Sequence, residues 1–203
     1  MTTINFMITR KENLKTTRWS GGTTTEIYIY PKAASYSERK FGFRISTAVV
    51  EDEQSTFTQL PGFKRHIMPL SGVMELEHEN HHAIVLNPFE KDFFHGEWVT
   101  KSRGQCTDFN LMLSEGFEGD IEPVKSGDLE VLATENFYGF YILCDCFAEI
   151  ALGNETQKEA FGKGDFFALT FTEGMSDGVC CVKLSAEAGN DIIAVKAMVT
   201  KAR

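Results

Sequence analysis

Two segments carry side chains suited to holding a small polar ligand. Along residues 105–113, a period of two places Asp108, Asn110 and Met112 on one face and Phe109, Leu111 and Leu113 on the other. A carboxylate and an amide on a common wall accept and donate hydrogen bonds to a ligand amide or amine. A solvated surface strand is the competing reading, although a thioether beside Asp and Asn is odd for one. Along residues 41–50, Phe43, Ile45 and Thr47 point one way, while Arg44, Ser46 and Ala48 point the other. The Arg44 guanidinium therefore emerges among small side chains that leave space around it, and its planar fork of donors matches a carboxylate. Two partners compete for it: a ligand anion, or an internal carboxylate from Glu26 or Asp108. They are compatible, because a carboxylate that holds Arg44 in the empty protein also positions it for ligand.

Further candidates lie nearby in the chain. Glu26 alternates with Thr24 and Tyr28, opposite Thr25, Ile27 and Ile29. Just before it, Trp19 and the pair Gly21-Gly22 read as a pocket wall, since paired glycines let the backbone come close to an aromatic ring. Trp19 either stacks on ligand or plugs a barrel end. Arg65 follows Leu60-Pro61-Gly62-Phe63, where Pro then Gly suits a type II turn, and is either a second anion contact or a surface cation. The expected ligand-binding set is Trp19, Thr24, Glu26, Arg44, Ser46, Arg65, Asp108, Asn110 and Met112, with no catalytic residue assigned. Glu26 or Asp108 becomes a candidate general base only if burial raises its pKa towards neutrality. The chain has no Gly-x-Ser-x-Gly elbow, no GxxxxGK[ST] phosphate loop and no dinucleotide fingerprint. Its five cysteines lack CxxC spacing, so Cys144, Cys146, Cys180 and Cys181 read as small buried apolar residues rather than as a metal site.

Strands are the elements that must position these residues. Short apolar-polar alternations, broken by Gly, Pro, Asn and Asp, predict an all-β chain. Strands are expected at 24–30, 41–50, 64–70, 73–78, 83–86 and 105–113, then at 129–132, 138–147, 148–152, 165–171, 179–184 and 191–199. No long amphipathic helix is present, and Thr9 to Glu12 has capping-box spacing for a single helical turn. Residues 115–125, with Gly116, Gly119 and Pro123, read as a join between two β units, 1–118 and 119–203, expected to pack as one body. A net charge of −9 without a Lys/Arg block disfavours nucleic acid as a partner. No apolar run approaches the roughly 20 residues that span a bilayer. The first ten residues lack the order of a secretory signal, so a cytoplasmic location is expected.

Taken in order, several pieces resemble the HutD/Ves family: Trp19, Gly21, Gly22, Thr24 and Glu26; Phe41-Gly42-Phe43-Arg44-Ile45-Ser46; Ser55 and Phe57; Pro61, Gly62 and Arg65; Gly72; Pro88-Phe89; and Asp108 to Met112. The resemblance implies a cupin-like jelly-roll barrel with two β units in one chain, a bicupin-like arrangement. It also implies binding of a small molecule, with links to histidine degradation in some members and to stress response in others. An acidic pathway intermediate such as formylglutamate or urocanate is the ligand class it suggests. Cupins often hold a divalent ion through a glycine, five intervening residues and a His-x-His pair. Gly72 and His78 have that first interval, but Asn80 stands at the second ligand position and His81 and His82 are adjacent, which points them apart in a strand. His66 and His95 lie on other segments. No metal and no cofactor are expected. The function expected first is a metal-free protein that senses or buffers a small acidic metabolite. The alternative is a metal-free lyase or isomerase, or a degenerate metal-dependent cupin, with a carboxylate general base. A homodimer formed through exposed sheet edges is the third expectation.

Overall fold

Alternation becomes strand wherever one face can be buried, and the chain follows that rule. The computed structural model describes residues 4–133, 136–152, 155–171, 180–187 and 191–202. Its strands are β1 (Ile4–Thr9), β2 (Lys15–Trp19), β3 (Gly22–Tyr30), β4 (Phe43–Val50), β5 (Gln54–Thr56), β6 (Phe63–Ser71), β7 (Met74–His78), β8 (Ala83–Leu86), β9 (Asp92–His95), β10 (Thr100–Arg103) and β11 (Cys106–Ser114). They continue with β12 (Phe117–Lys125), β13 (Leu129–Leu132), β14 (Phe137–Ile142), β15 (Cys146–Leu152), β16 (Glu155–Phe161), β17 (Phe166–Phe171), β18 (Cys180–Ser185) and β19 (Ile192–Lys201). Among the described residues the helical pieces are two 3-10 turns, Lys11–Asn13 and Tyr36–Glu38. The first overlaps the turn expected at Thr9 to Glu12 at Lys11 and Glu12.

Two compact units form: Leu14–Ile121 with Ala202–Arg203, and Met1–Asn13 with Glu122–Lys201. In the first, a six-stranded sheet ordered β2-β3-β4-β11-β6-β9 and a four-stranded sheet ordered β5-β10-β7-β8 carry the site. Val50, Ile67, Phe94 and Cys106 from the larger sheet pack against Met74, Leu76 and Leu86 from the smaller one. That apolar cluster joins the two sheets through a common core, as in a β-sandwich. The other unit has sheets ordered β1-β17-β14-β19-β12 and β13-β18-β15-β16. Its core includes Phe140, Phe161 and Phe167, with the Phe140 and Phe167 rings stacked at 4.7 Å.

Four expectations change. The uninterrupted division 1–118 and 119–203 gives way to an exchange, because β1 pairs antiparallel with β17, from Ile4 opposite Phe171 to Thr9 opposite Phe166. Residues 115–125 turn at Glu115-Gly116 and then run as β12, within which the join falls; β12 is an edge strand of its sheet, the position where a proline such as Pro123 is tolerated. The single strand expected at 138–147 ends at Ile142 and resumes as β15 at Cys146. Strands β1, β2, β5, β9, β10 and β16 were not expected; β2 is exposed throughout and β5 is short and polar, so neither shows a buried alternate face. Val179, expected to open a strand, lies outside the described residues.

Candidate functional site

Pairing register assembles the site from four strands. Arg44 stands opposite Met112, which stands opposite Arg65; Ser46, Asn110 and Ile67 make the next row, and Ala48, Asp108 and Pro69 the third. Directly opposed residues of antiparallel strands share a face, so these rows form one wall. On β3, Glu26 lies opposite Ser46 and Thr24 opposite Ala48. The wall lines a cavity of about 710 Å³, roughly the size of a small-metabolite site. Trp19, Thr24, Arg44, Ser46, Arg65, Asp108, Asn110 and Met112 all line it; Glu26 does not, and instead supports Arg44.

Arg44 is buried and takes the internal partner considered from sequence. Its Nε donates to Glu26 Oε2 at 2.8 Å and its Nη1 to Ser46 Oγ at 3.0 Å, while its guanidinium sits 4.4 Å from the Tyr36 ring centroid. Because Arg44 also lines the cavity, the Glu26 pair holds it there rather than withdrawing it.

Arg65 is no surface cation. It is 6% exposed, and its guanidinium lies 4.8 Å from the Phe57 ring centroid and 5.1 Å from that of Phe94. Burial pulls its pKa down to about 10, against the attraction of Tyr36 and Asp108, so it stays charged at neutral pH. Its Nε and the Oδ1 of Asn110 are the buried side-chain atoms among the described residues that have no hydrogen-bond partner. Leaving such an atom unpaired costs about 1–3 kcal/mol, more for a charged group. Both residues line the cavity, so one donor and one acceptor stand ready for whatever fills it. One row beyond Asn110 on the same wall, burial pushes the Asp108 carboxyl up to about 7, opposed by the Arg65 charge and the Ala48 N–H.

The alternation expected along β3 breaks after Glu26. A bulge between Glu26 and Tyr28 turns Tyr28 to the other face, where it stacks on Phe43 at 5.5 Å. Ile29 then falls opposite Arg44 and joins Met112 in an apolar cluster with Phe41, Leu60 and Phe63. Tyr36 and Phe57 were missed as cavity residues; neither lies in an alternating run, although Phe57 is part of the Ser-x-Phe piece noted in the sequence.

The histidines do not reproduce the cupin ligand pattern. Asn80, at the second ligand position, sits in the β7–β8 turn with φ 61. His66 lies 3.5 Å from Asp120, and His95 stands beside Glu97 and Trp98. His78, however, meets His82 and Asp92, a residue that spacing alone does not connect to them.

Comparison with known proteins gives the fold and the family. Among curated proteins, none matches the chain. A conserved protein of unknown function from Pseudomonas aeruginosa superposes with TM-score 0.79 at 19% identity, covering 97% of this chain and 100% of that one. HutD from Pseudomonas fluorescens gives 0.72 at 20% identity, over 98% and 100% of the two chains. A bacterial pirin from Escherichia coli, determined with nickel(II), gives 0.60 at 8% identity over 98% and 100%. At these identities the likeness speaks for fold, which is all-β and cupin-like. The HutD family model matches residues 11–184, taking in every strand that lines the cavity, and the chain belongs to the HutD family.

Proposed function

We propose that the protein binds a small carboxylated metabolite in the cavity of its Leu14–Ile121 unit, as a sensor or regulator linked to histidine utilisation. One observation carries this reading: a buried guanidinium and a buried amide, Arg65 and Asn110, each keep an unpaired atom on the cavity wall. A ligand carboxylate supplies the acceptor Arg65 lacks, and a ligand N–H supplies the donor Asn110 lacks. Formylglutamate and urocanate each offer both groups. Membership of the HutD family makes histidine-derived acids the first set to try.

Thermal melts with increasing formylglutamate or urocanate test it, with imidazole as the control that lacks a carboxylate. A ligand bound only by the folded state stabilises by about 2.7 kcal/mol at one hundred times its Kd. In Arg65→Met, which keeps apolar packing against Phe57 and Phe94, the cooperative melt is expected to remain and the ligand-induced shift to vanish. Equal stabilisation of both proteins would reject the contact.

A second reading draws on Asp108. With its carboxyl near 7, it can take or give a proton at neutral pH, as a general base in a metal-free lyase or isomerase must. Product formed from a bound acid by the native chain and not by Asp108→Asn would favour catalysis; binding without product would leave the sensor.

A further inference from the structure

We infer that His78, His82 and Asp92 form a binding site for a divalent first-row transition-metal ion at the β7–β8 hairpin end, apart from the ligand cavity. Their ligating atoms all lie within 4.8 Å of one another. His78 Nε2 is 2.9 Å from Asp92 Oδ2, and His82 Nε2 is 3.1 Å from Asp92 Oδ1. Donors bound to a tetrahedral ion at about 2.0–2.1 Å stand roughly 3.3 Å from each other, so these atoms need to move little to close on one. Two imidazoles and a carboxylate are the donor set of zinc and non-haem iron sites that keep positions open for water or substrate.

The surroundings hold the ligands as such a site requires. His78 Nδ1 lies 2.8 Å from the hydroxyl oxygen of Thr100, which is fully buried. That hydroxyl is 3.5 Å from the Trp98 carbonyl oxygen. When it turns towards that carbonyl it accepts the Nδ1 proton, leaving the Nε2 lone pair for an ion; this is the outer hydrogen bond that metal-ligating histidines make. The His78 ring packs at 4.6 Å from Phe94 and 4.5 Å from His82, which restrains its rotamer. Phe94 also touches Arg65, so one buried ring stands between this cluster and the cavity wall. The His82 side chain is 39% exposed, and gives an ion a path to Asp92 at 10% and His78 at 0%.

Linear spacing hides the site. His82 returns across the hairpin turn, where its carbonyl accepts the His78 N–H at 2.8 Å, and Asp92 arrives from β9. Without an ion, the same atoms form a hydrogen-bonded His-Asp-His network.

The full chain, without a tag and stripped with chelator, is titrated with Zn(II) by calorimetry and with Co(II) by visible absorption. The expected result is one saturating equivalent of Zn(II), with Co(II) bands of a four- or five-coordinate nitrogen and oxygen site. His82→Ala and Asp92→Asn each weaken Zn(II) binding about tenfold or more and lose the Co(II) bands. His81→Ala leaves both unchanged, because His81 stacks on Trp98 outside the cluster. Unchanged Zn(II) affinity in His82→Ala, a native protein without one saturable equivalent, or loss on His81→Ala would each overturn the assignment. His82 lies at an exposed turn, and the metal-free melt of its variant verifies that it folds.

Discussion

A carboxyl whose pKa moves from the ordinary range to about 7 holds its proton in the folded chain while the unfolded chain gives it up near pH 3.9. Asp108 therefore contributes stability that is fully present below about pH 4 and is lost as pH rises through about 7. Asp108→Asn removes the titration and keeps an oxygen that can accept the Ala48 N–H. Its melting temperature relative to native protein is expected to rise between pH 5 and pH 8. Parallel curves across that range would show that Asp108 ionises freely. The same wall explains why the site is not built for stability. Arg65 and Asn110 each keep an atom desolvated without a partner, a cost that makes sense when a ligand supplies what is missing.

At the scale of elements, the β2–β3 hairpin places Trp19 at the cavity, and its two glycines do different jobs. A Cβ on Gly22 would stand 1.9 Å from the Val49 carbonyl oxygen of β4, a backbone atom fixed by the ladder. Gly22→Ala is expected to cost more than about 2 kcal/mol in denaturant unfolding, by forcing the β3–β4 pair apart. A Cβ on Gly21 would meet a Trp19 ring carbon at 2.2 Å, and that ring, 37% exposed, can swing. Gly21→Ala should keep near-native stability but shift Trp19 emission, read in a Trp98→Phe background. Similar losses in both variants would contradict this division of roles. Strands with one apolar face, such as β4, β6 and β11, were legible in sequence; β2, exposed along its length, and β5, short and polar, have no such face to read.

Across the whole molecule, the start of the chain belongs with residues far along it. Arg10 donates to Asp165, 155 positions away, at 2.9 Å, and the Lys11 and Gly162 N–H groups donate to the same carboxyl. Burial pushes the Asp165 pKa up, but these bonds outweigh it and the net shift is downward. The contribution is present above about pH 4 and is lost as pH falls through the lowered value. Arg10→Ala should lower stability at pH 7 by about 1 kcal/mol, allowing for the partial exposure of the arginine, and lessen the acid-side loss. Melts at pH 7 and pH 3 that match native protein would exclude the tie. Sequence by itself determined the all-β class and the shared faces of Arg44 with Ser46 and of Asp108, Asn110 and Met112, because alternation follows from local backbone geometry. Only tertiary structure decided that β1 pairs with β17, that a bulge turns Tyr28 away from Glu26, that Arg65 is buried and that Asp92 meets two histidines. Register between distant strands and removal of water are properties of the assembled sheets, and no spacing along the chain encodes them residue by residue.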